Sequence, residues 1–426
     1  MALDDLIFYV FMVIGLIYFV HFGLYTVGAN LYDIKQYRRL RRVPKRFRTK
    51  RPLVSVLIPA HNEEKGIVRC LDSVRKNTYR KIEIIVINDA SKDKTSDLVA
   101  DYICRYPRMS ISLINLRKNL GKAGALNRAL RRQASGNLIM TLDADSVLHR
   151  RAIKRSVDYF EDENIVGVAA NVCMMDDWSV LGLLQKFEHM IGYRSKKLYS
   201  LTNSEFIIGG VGSTYRKEIM KEVKFYDTDT STEDIGLSLK IAALGNREHR
   251  LVYGSDVVAM TEGVQSFRAL LHQRYRWKMG MIQNLLKHRQ LFANNDESYT
   301  WSLTMYRIPM AFLGEILMML EPLMFAYTIY LVIAFNAVGI VMGAYMIITM
   351  YVLWNLWPDE HTPLKRKLLL SLYTPVIYFI FYIMSFVQIV SIYRCLFNVK
   401  QITNRSSGGG KWVSPERTGQ QVTQFN

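Results

Sequence analysis

The sequence predicts an α/β domain, built on a mostly parallel sheet with helices on both faces, held between membrane-spanning helices. Three observations support this fold class. Long apolar stretches lie near both ends of the 426-residue chain. Strand-like and helix-like segments alternate between these stretches, and polar residues follow several of the predicted strands. A chain of this length is expected to form two or three structural units.

The composition is typical of a membrane protein that also has an ordinary globular part. Hydrophobic residues make up 50% of the chain, charged residues 22%, and the mean hydropathy is +0.03. The formal net charge is +19. Basic residues beside apolar spans are typical of the cytoplasmic membrane face, and no nucleic-acid recognition motif accompanies them. We therefore expect membrane lipids, and no nucleic acid, as partners.

The four cysteines are scattered and form no Cys-x-x-Cys pair. This pattern predicts reduced cysteines in the core or the membrane rather than a disulfide framework or a zinc site.

The first apolar stretch is predicted to cross the membrane. Leu6–Tyr25 contains no formally charged residue and is long enough for a hydrocarbon core about 30 Å thick. Residues 1–34 are therefore assigned to an N-terminal transmembrane helix. Residues 35–51 contain ten Lys or Arg and no acid. The positive-inside rule places this basic linker, and the domain after it, in the cytoplasm.

Further transmembrane helices are predicted within residues 301–394. Glu315 and Glu321 lie inside the first of them, and acids at that depth are expected to face protein or a polar channel rather than lipid. An alternative is that part of this stretch lies in the membrane interface. The basic residues of the polar tail, residues 395–426, leave its side of the membrane open. The three apolar stretches are Ile308–Ala334, Ala337–Trp357 and Leu368–Tyr393.

Residues 52–262 are predicted to form the α/β domain. Strands alternating with helices imply a mostly parallel sheet covered on both faces. Ligands bind such sheets at the carboxyl ends of the strands, and polar residues follow the first, second and fourth predicted strands. The predicted strands are Leu53–Pro59, Ile82–Ile87, Ser110–Ile114 and Asn137–Leu142, and the helices between them are Glu64–Asn77, residues 92–107 and Ala123–Arg132.

Two carboxylates after the fourth strand form the sharpest motif. Asp143 and Asp145 end the apolar run LIMTL, and residues two apart on an extended segment share a side. Both acids can therefore converge on one cation, and Mg²⁺ favours carboxylates together with phosphate oxygens. An Asp-rich turn at a strand end is the alternative. The position downstream of Asn88 and Asp89, at a strand end of the same sheet, favours the metal site.

Two further polar segments are candidates for contacts with a nucleotide. Asp89 directly follows a strand and can accept hydrogen bonds from a base or ribose, although an Asx turn is the alternative. Gly121 and Gly124 permit close backbone approach, and Lys122 between them can meet phosphate at a helix start. Gly-Lys is also ordinary loop chemistry.

The segment Thr232, Glu233 and Asp234 precedes a predicted helix, Ile235–Ala243. Thr232 can cap that helix with help from the acids, and a catalytic role is the alternative. From the local pattern alone, both interpretations remain open.

Residues 263–300 are predicted to form an amphipathic interfacial region. Its central stretch, Phe267–Leu286, mixes basic residues with apolar and aromatic ones, which is typical of an interfacial helix. This stretch could also have two more specific roles. Arg side chains can bind diphosphate, and a Trp ring can support a sugar ring. The residues concerned are Gln273, Arg274, Arg276 and Trp277.

Taken in order, these motifs resemble the family 2 glycosyltransferases of the processive, membrane-embedded kind. This family includes hyaluronan, chitin and cellulose synthases, and the resemblance is strongest to the bacterial synthases of poly-β-1,6-N-acetylglucosamine. It implies a GT-A-type fold with a Rossmann-like mixed sheet for residues 52–262. The motifs that carry it are IPAHNEE (Ile58–Glu64), INDASKDKT (Ile87–Thr95), GKAGALN (Gly121–Asn127), LDAD (Leu142–Asp145), TED (Thr232–Asp234) and QRYRW (Gln273–Trp277).

The resemblance also implies how the donor is bound. Pro59, His61, Glu63 and Asp89 would surround the uridine, and Lys122 would lie near the nucleotide. The chain departs from the family at His61, where Tyr is usual. It also departs around the acceptor pocket, in residues 206–213, which leaves the identity of the acceptor open.

The implied chemistry is inverting transfer with UDP as the leaving group. Asp145, assisted by Asp143, would hold Mg²⁺ or Mn²⁺ on the diphosphate. Asp234 would act as the general base, with Glu233 and Thr232 beside it in the same motif. The four QRYRW residues named above would close over the diphosphate and the acceptor end.

The function implied by the resemblance is polymerisation of N-acetylglucosamine from UDP-N-acetylglucosamine, with export of the growing polysaccharide through the protein's own membrane helices. The expected location is the cell membrane, with several crossings and a cytoplasmic catalytic domain. A small membrane partner subunit is a possible companion. The alternatives are a hyaluronan-, chitin- or glucan-type synthase using another UDP-sugar, a transferase of one sugar to a lipid, and a non-catalytic membrane scaffold.

Overall fold

The computed structural model describes residues 3–41, 51–357 and 362–398, together with residues 400, 402 and 419. Residues 42–50 of the predicted basic linker lie outside the described residues, as does most of the predicted polar tail. The described chain forms one eight-stranded sheet with helices on both faces and a set of long apolar helices.

The first half of the domain follows the predicted alternation. Its four strands are mutually parallel, with Ala60 opposite Asn88 at the carboxyl ends of the first two. Short β-branched apolar runs form these strands because both faces of the sheet are covered. The elements are β1 (Val54–Ala60), α2 (Ile67–Arg75), β2 (Ile82–Asn88), α3 (Thr95–Arg105), β3 (Ile111–Asn115), α4 (Gly121–Arg132) and β4 (Leu138–Thr141), preceded by α1 (Leu3–Arg41).

The second half turns the sheet into a mixed one. The strand order is β3-β2-β1-β4-β7-β6-β8-β5, and β7 runs antiparallel to both of its neighbours. The mixed sheet implied by the family resemblance is therefore confirmed: the first four strands are parallel, as are β6 and β8, whereas β7 and β5 run antiparallel to their neighbours. The elements are β5 (Val147–Leu148), α5 (Ala152–Tyr159), β6 (Ile165–Met174), α6 (Val180–Leu201), β7 (Ser213–Arg216), α7 (Lys217–Glu222), α8 (Glu233–Ala242) and β8 (Arg250–Thr261).

Two apolar layers hold this sheet, one on each face. Alternate side chains of β1 point into opposite layers, as a strand period of two requires. Val56 and Ile58 pack with α2, α3 and α5, whereas Leu57 packs with α4, α7 and α8. With both faces filled by apolar side chains, polar groups are left to collect at the strand ends.

The remaining helices are long and largely apolar. Within the described residues, two helices are long and apolar enough to cross a membrane, Asp5–Arg39 and Ser302–Ala334. Their outward side chains are far from covered, with Phe19 73% and Ile333 77% exposed. This supports membrane association. The elements are α9 (Phe267–Lys287), a 3₁₀ turn (Arg289–Leu291), a π-helical turn (Ser302–Arg307), α10 (Ile308–Ala334), α11 (Val338–Leu356) and α12 (Leu364–Phe397).

Helix α1 continues beyond its apolar part and lies against the α/β domain. Tyr32 donates a hydrogen bond to the carbonyl of Tyr253 at 2.5 Å, and Arg39 forms an ion pair with Asp256 at 3.1 Å. The helix ends at Arg41, so the first part of the predicted basic linker is helical. Side-chain contacts, and not only a chain connection, therefore join the apolar helix to the domain.

The two acids predicted inside the apolar region have different surroundings. Both carboxylate oxygens of Glu315 accept hydrogen bonds from Lys278 of α9 at 2.8 Å, so this acid faces protein as expected. Glu321 lines a cavity of about 410 Å³ between α10, α11 and α12, whose other lining residues are apolar apart from Thr328 and Tyr382.

Candidate active site

The carboxyl ends of β1 and β2 bring His61 beside Asp89. The Nδ1–H of His61 donates to the backbone carbonyl of Asp89 at 2.7 Å, and the amide of Asp89 donates to the carbonyl of Ala60 at 2.8 Å. Asn62 adopts a left-handed backbone conformation (φ 57°), which turns the chain sharply away from the strand. Two of the predicted donor-binding segments therefore form one corner of the site.

Asp89 is fully buried and only partly satisfied. Its Oδ1 accepts a hydrogen bond from the amide of Leu120 at 2.7 Å, which ties the start of α4 to the end of β2. Burial raises the pKa of Asp89. Hydrogen bonds from the amides of Leu120 and Gly121 lower it, but they only partly offset the effect of burial. Among the described groups, its Oδ2 has no hydrogen-bond partner. A buried acceptor of this kind is suited to an N–H or O–H of a bound ligand.

Pro59 and Glu63 lie beside the same corner, Pro59 in β1 and Glu63 in the loop after it. Pro59 is buried inside β1 and contributes no polar group. The amide of Glu63 donates to the Thr95 hydroxyl at 2.8 Å, which joins the β1 loop to the first residue of α3. Glu63 itself is buried.

The two carboxylates after β4 have different surroundings. Asp145 is buried, and its Oδ1 accepts hydrogen bonds from the hydroxyls of Ser146 at 2.8 Å and Thr261 at 3.4 Å. Asp143 is more open, and its Oδ1 lies 2.6 Å from the ammonium nitrogen of Lys122. The motif predicted as a metal site therefore has one carboxylate fixed by hydroxyls and one held by a lysine.

The residues present fit a metal ion that is shared with a nucleotide. Across residues 3–41, 51–357 and 362–398, no cluster of three or more His, Cys, Asp or Glu side chains is arranged to hold a metal. The protein would then contribute Asp143 and Asp145 and leave the other positions to phosphate oxygens and water. Mg²⁺ is commonly bound in this way, by one or two carboxylates plus substrate phosphates.

Lys122 lies between three carboxylates. Besides Asp143, its ammonium is 3.5 Å from Glu233 Oε1. Burial disfavours the charged ammonium, yet Asp143, Glu233 and Asp234 together raise the pKa of Lys122 above its usual value. The side chain is therefore a permanent positive charge at the centre of the site.

Asp234 lies at the first turn of α8, with both oxygens oriented by backbone amides. Oδ2 accepts from Gly210 at 3.0 Å and Oδ1 from Ile235 at 2.9 Å. Burial, followed by the charge of Glu233, raises the pKa of Asp234 to about 6, against Lys122 and other cations that lower it. A carboxylate with a pKa near neutrality and a fixed orientation is suited to accept a proton. Each oxygen still has a lone pair for a substrate hydroxyl.

Thr232 connects the catalytic segment to α9 rather than capping α8. Within the described residues its side chain makes no cap hydrogen bond, so the capping interpretation is not supported. Instead, Asn284 donates to the Thr232 carbonyl at 3.0 Å and to its hydroxyl at 3.2 Å. A Cβ at position 280 would collide with the Thr232 side chain, so Gly280 permits this close approach.

The QRYRW residues on α9 differ in their surroundings. Arg276 is exposed and close enough to lower the pKa of Asp234. Arg274, expected to bind the diphosphate, is instead only 6% exposed. It forms an ion pair with Glu188 of α6 at 2.6 Å and stacks on the Trp277 ring, 4.2 Å from its centroid. Its charge is thus already paired within the protein, whereas Gln273, like Trp277, is half-buried.

Sequence reasoning missed three residues that shape the site. Glu188 fixes Arg274, the amide of Gly210 orients Asp234, and Asn284 fixes Thr232. Of these three residues, only Gly210 had a signal in the sequence, because it lies in a glycine-rich run. Glu188 and Asn284 gave none, because a charged or amide residue on a helix is most often solvent-exposed.

This fold is of the GT-A type. Residues 55–224 match the family described as "Glycosyl transferase family 2".

Similarity to individual proteins extends beyond this domain. The chain is 31% identical over 237 residues to the poly-β-1,6-N-acetyl-D-glucosamine synthase of Staphylococcus epidermidis, a match that covers 55% of this chain and 56% of that protein. The corresponding synthase of Staphylococcus aureus is 32% identical over 239 residues, with the same coverage. The chain thus spans about half the length of the curated relatives it matches.

A solved structure agrees with the fold over a larger share of the chain. This is the mannosyltransferase PcManGT from Pyrobaculum calidifontis, solved in complex with GDP-Man and Mn²⁺. The TM-score is 0.54 at 22% identity, and the alignment covers 88% of this chain and 96% of that one.

Proposed function

We propose that the protein is an inverting, metal-dependent, processive glycosyltransferase that polymerises N-acetylglucosamine from UDP-N-acetylglucosamine. The observation that carries the proposal is the position of Asp234. Its carboxylate is oriented by the amide of Gly210 and lies close enough to Lys122, the partner of Asp143, and to Arg276 of α9 that both cations lower its pKa. A base in this position separates a donor site at the strand ends from an acceptor site beside the apolar helices.

The donor nucleotide is assigned to the corner formed by β1 and β2. The free oxygen of Asp89 can accept from an N–H of a base or a hydroxyl of ribose. His61, Glu63 and the backbone around Pro59 form the rest of this corner, and Lys122 is positioned for the diphosphate. The names of the staphylococcal relatives support N-acetylglucosamine as the sugar. The Pyrobaculum protein holds GDP-Man, so the donor has to be tested directly.

Asp145 and Asp143 would hold the divalent metal, Mg²⁺ or Mn²⁺. When bound, such an ion neutralises the charge that develops on the departing diphosphate. The hydroxyls of Ser146 and Thr261 keep Asp145 oriented for this role.

Transfer proceeds by a single displacement. Asp234 accepts the proton of the acceptor hydroxyl, and the hydroxyl oxygen forms a bond to the anomeric carbon on the face opposite the diphosphate. The electron pair of the broken bond leaves with UDP, so the configuration at the anomeric carbon is inverted. Glu233 and Thr232 support Asp234, the first through charge and the second through its contact with α9.

The acceptor end is assigned to the surface of α9. Trp277 offers a ring for sugar stacking, while Gln273 and Arg276 offer hydrogen-bond donors beside it. Arg274 positions Trp277 rather than binding substrate, since Glu188 pairs its charge. The product would then pass along α10, α11 and α12 and cross the membrane, with residues 52–262 on the cytoplasmic side.

The decisive experiment is to size the product. Purified protein or membranes would be incubated with UDP-N-acetylglucosamine, UDP-glucose, UDP-glucuronate or GDP-mannose, each with Mg²⁺ or Mn²⁺. Free UDP together with a long N-acetylglucosamine polymer supports the proposal. A lipid carrying one sugar would contradict processivity, and a polymer from another donor would contradict the sugar. No turnover with any donor would favour the scaffold alternative. Membranes containing the Asp234→Asn variant are the matched control.

A further inference from the structure

Lys122 contacts one of the two carboxylates assigned to the metal. Its ammonium nitrogen lies 2.6 Å from Asp143 Oδ1, shorter than its 3.5 Å separation from Glu233 Oε1. At 2.6 Å the ammonium and the carboxylate oxygen form a direct ion pair. The lysine therefore contacts one of the carboxylate oxygens that Asp143 and Asp145 would offer to the metal.

The pocket around the ammonium is built to hold it closely. A Cβ on Gly210 would lie 2.8 Å from the Lys122 nitrogen, so the glycine provides the necessary space. The Lys122 side chain is only 16% exposed, and that of Glu233 is 11% exposed. The ammonium thus has two partners in a small volume, and a change of partner requires only a short movement.

A divalent metal on Asp143 and the ammonium of Lys122 compete for the same carboxylate. Two cations on one carboxylate repel each other, and the repulsion is strong in a site with little water. A metal held by Asp143 and Asp145 therefore weakens the contact between Lys122 and Asp143.

We propose that Lys122 is a resident cation of the site, held by Asp143, that competes with the divalent metal and shifts to Glu233 when the metal and the sugar nucleotide bind. This inference rests on the proposed function, because it takes the metal site from there. It gives Glu233 a distinct role as the positioning residue that receives the displaced ammonium. It also makes metal binding depend on the nucleotide, since the incoming phosphates compensate for the loss of the contact between Lys122 and Asp143.

Such a dependence is reciprocal. If the nucleotide strengthens metal binding, the metal strengthens nucleotide binding by the same factor. A neutral residue in place of Lys122 removes the competition, so the metal would bind without the nucleotide and the mutual strengthening would shrink.

The test measures Mn²⁺ binding to the purified full-length protein without nucleotide, from the electron paramagnetic resonance signal of free Mn²⁺. The variant is Lys122→Met, which keeps the chain length and removes the charge. We expect Mn²⁺ to bind the variant at least about tenfold more tightly than the wild type, because the competing cation is gone. Lys118→Met is the matched control, since Lys118 is exposed on the preceding loop. It should bind Mn²⁺ as the wild type does.

The second measurement is the affinity for UDP with and without Mn²⁺. The ratio of the two affinities should be larger for the wild type than for Lys122→Met. Lys122→Gln, whose amide can still donate to Asp143, should behave as Lys122→Met does. If Lys122→Met does not fold, Lys122→Gln is measured in its place.

Equal or weaker Mn²⁺ binding by a folded Lys122 variant, or an unchanged ratio, would overturn the inference. The variant Asp145→Asn separates this failure from that of the proposed function. If Asp145→Asn abolishes Mn²⁺ binding while the Lys122 variants leave it unchanged, the metal site stands and only the resident-cation role is wrong. If Asp145→Asn has no effect on Mn²⁺ binding, the metal assignment itself is wrong and the inference fails with it.

Discussion

The raised pKa of Asp234 predicts an acid limb in the pH dependence of transfer. The carboxylate must be ionised to accept a proton, and its pKa is about 6 because burial and the charge of Glu233 disfavour ionisation. At pH 6 about half of the enzyme carries the ionised base, and at pH 5 roughly one tenth does. An ordinary aspartate, with a pKa of 3.8, would leave the rate almost flat over this range.

The groups that face Asp234 allow the origin of the shift to be tested. Glu233 raises its pKa, whereas Lys122 of α4 and Arg276 of α9 lower it. The phenols of Tyr215 and Tyr226 also lie near it. Glu233→Gln should therefore move the midpoint of the acid limb to lower pH, because a negative charge that opposes ionisation has been removed.

The assay is the initial rate of UDP release from about pH 5 to about pH 8, with UDP binding measured in parallel. Asp234→Asn should lower kcat by roughly 10²- to 10⁴-fold, which is the usual contribution of a general base, and should leave UDP binding largely intact. A wild-type rate that stays constant from pH 7 to pH 5 would refute the assignment of Asp234 as the base. So would the loss of UDP binding in Asp234→Asn.

Three other predictions follow from the site. Asp145→Asn should lower kcat by about 10³-fold or more, since a catalytic metal contributes several kcal/mol; wild-type rates at saturating Mg²⁺ would contradict this. Asp89→Asn should weaken UDP binding by about 10- to 100-fold, the effect of losing a hydrogen bond to a charged group, and calorimetry showing unchanged affinity would remove Asp89 from the donor site. Arg274→Met should lower the free energy of unfolding by about 2 kcal/mol, because it leaves the partly buried carboxylate of Glu188 without its charged hydrogen-bond partner. The double variant Arg274→Met/Glu188→Leu should recover part of this loss in thermal unfolding, and a double variant less stable than either single one would contradict the ion-pair explanation.

The first four strands could be predicted because local pattern and tertiary structure agree there. Strands β1, β2 and β4 are short apolar runs that are largely buried, β3 is a half-buried edge strand, and each is separated from the next by a helix with apolar spacing. The polar residues after these strands were then expected at one edge of the sheet. In the structure that edge joins His61 to Asp89, and Asp143 contacts Lys122 of α4.

The second half of the sheet could not be derived in this way. Strand β7 has only four residues and pairs with β4, which lies far from it in the sequence. Such pairing is decided by long-range packing, which a local pattern does not record. The charge partners were hidden for the same reason, since Arg274 and Glu188 are 86 residues apart. Asp143 and Lys122 were both recognised as candidates, but spacing alone could not show that they contact each other.

Helix α9 joins the segment that contains Asp234 to the apolar helix α10. Gly280 lets α9 approach Thr232 closely, and Asn284 donates a hydrogen bond to the Thr232 carbonyl. Two residues before Gly280, Lys278 binds Glu315 of α10 at 2.8 Å. One helix thus sets the spacing between the Asp234 segment and α10. If the protein polymerises sugars as proposed, a base held at that spacing requires the end of the growing polymer to advance by one sugar after every bond.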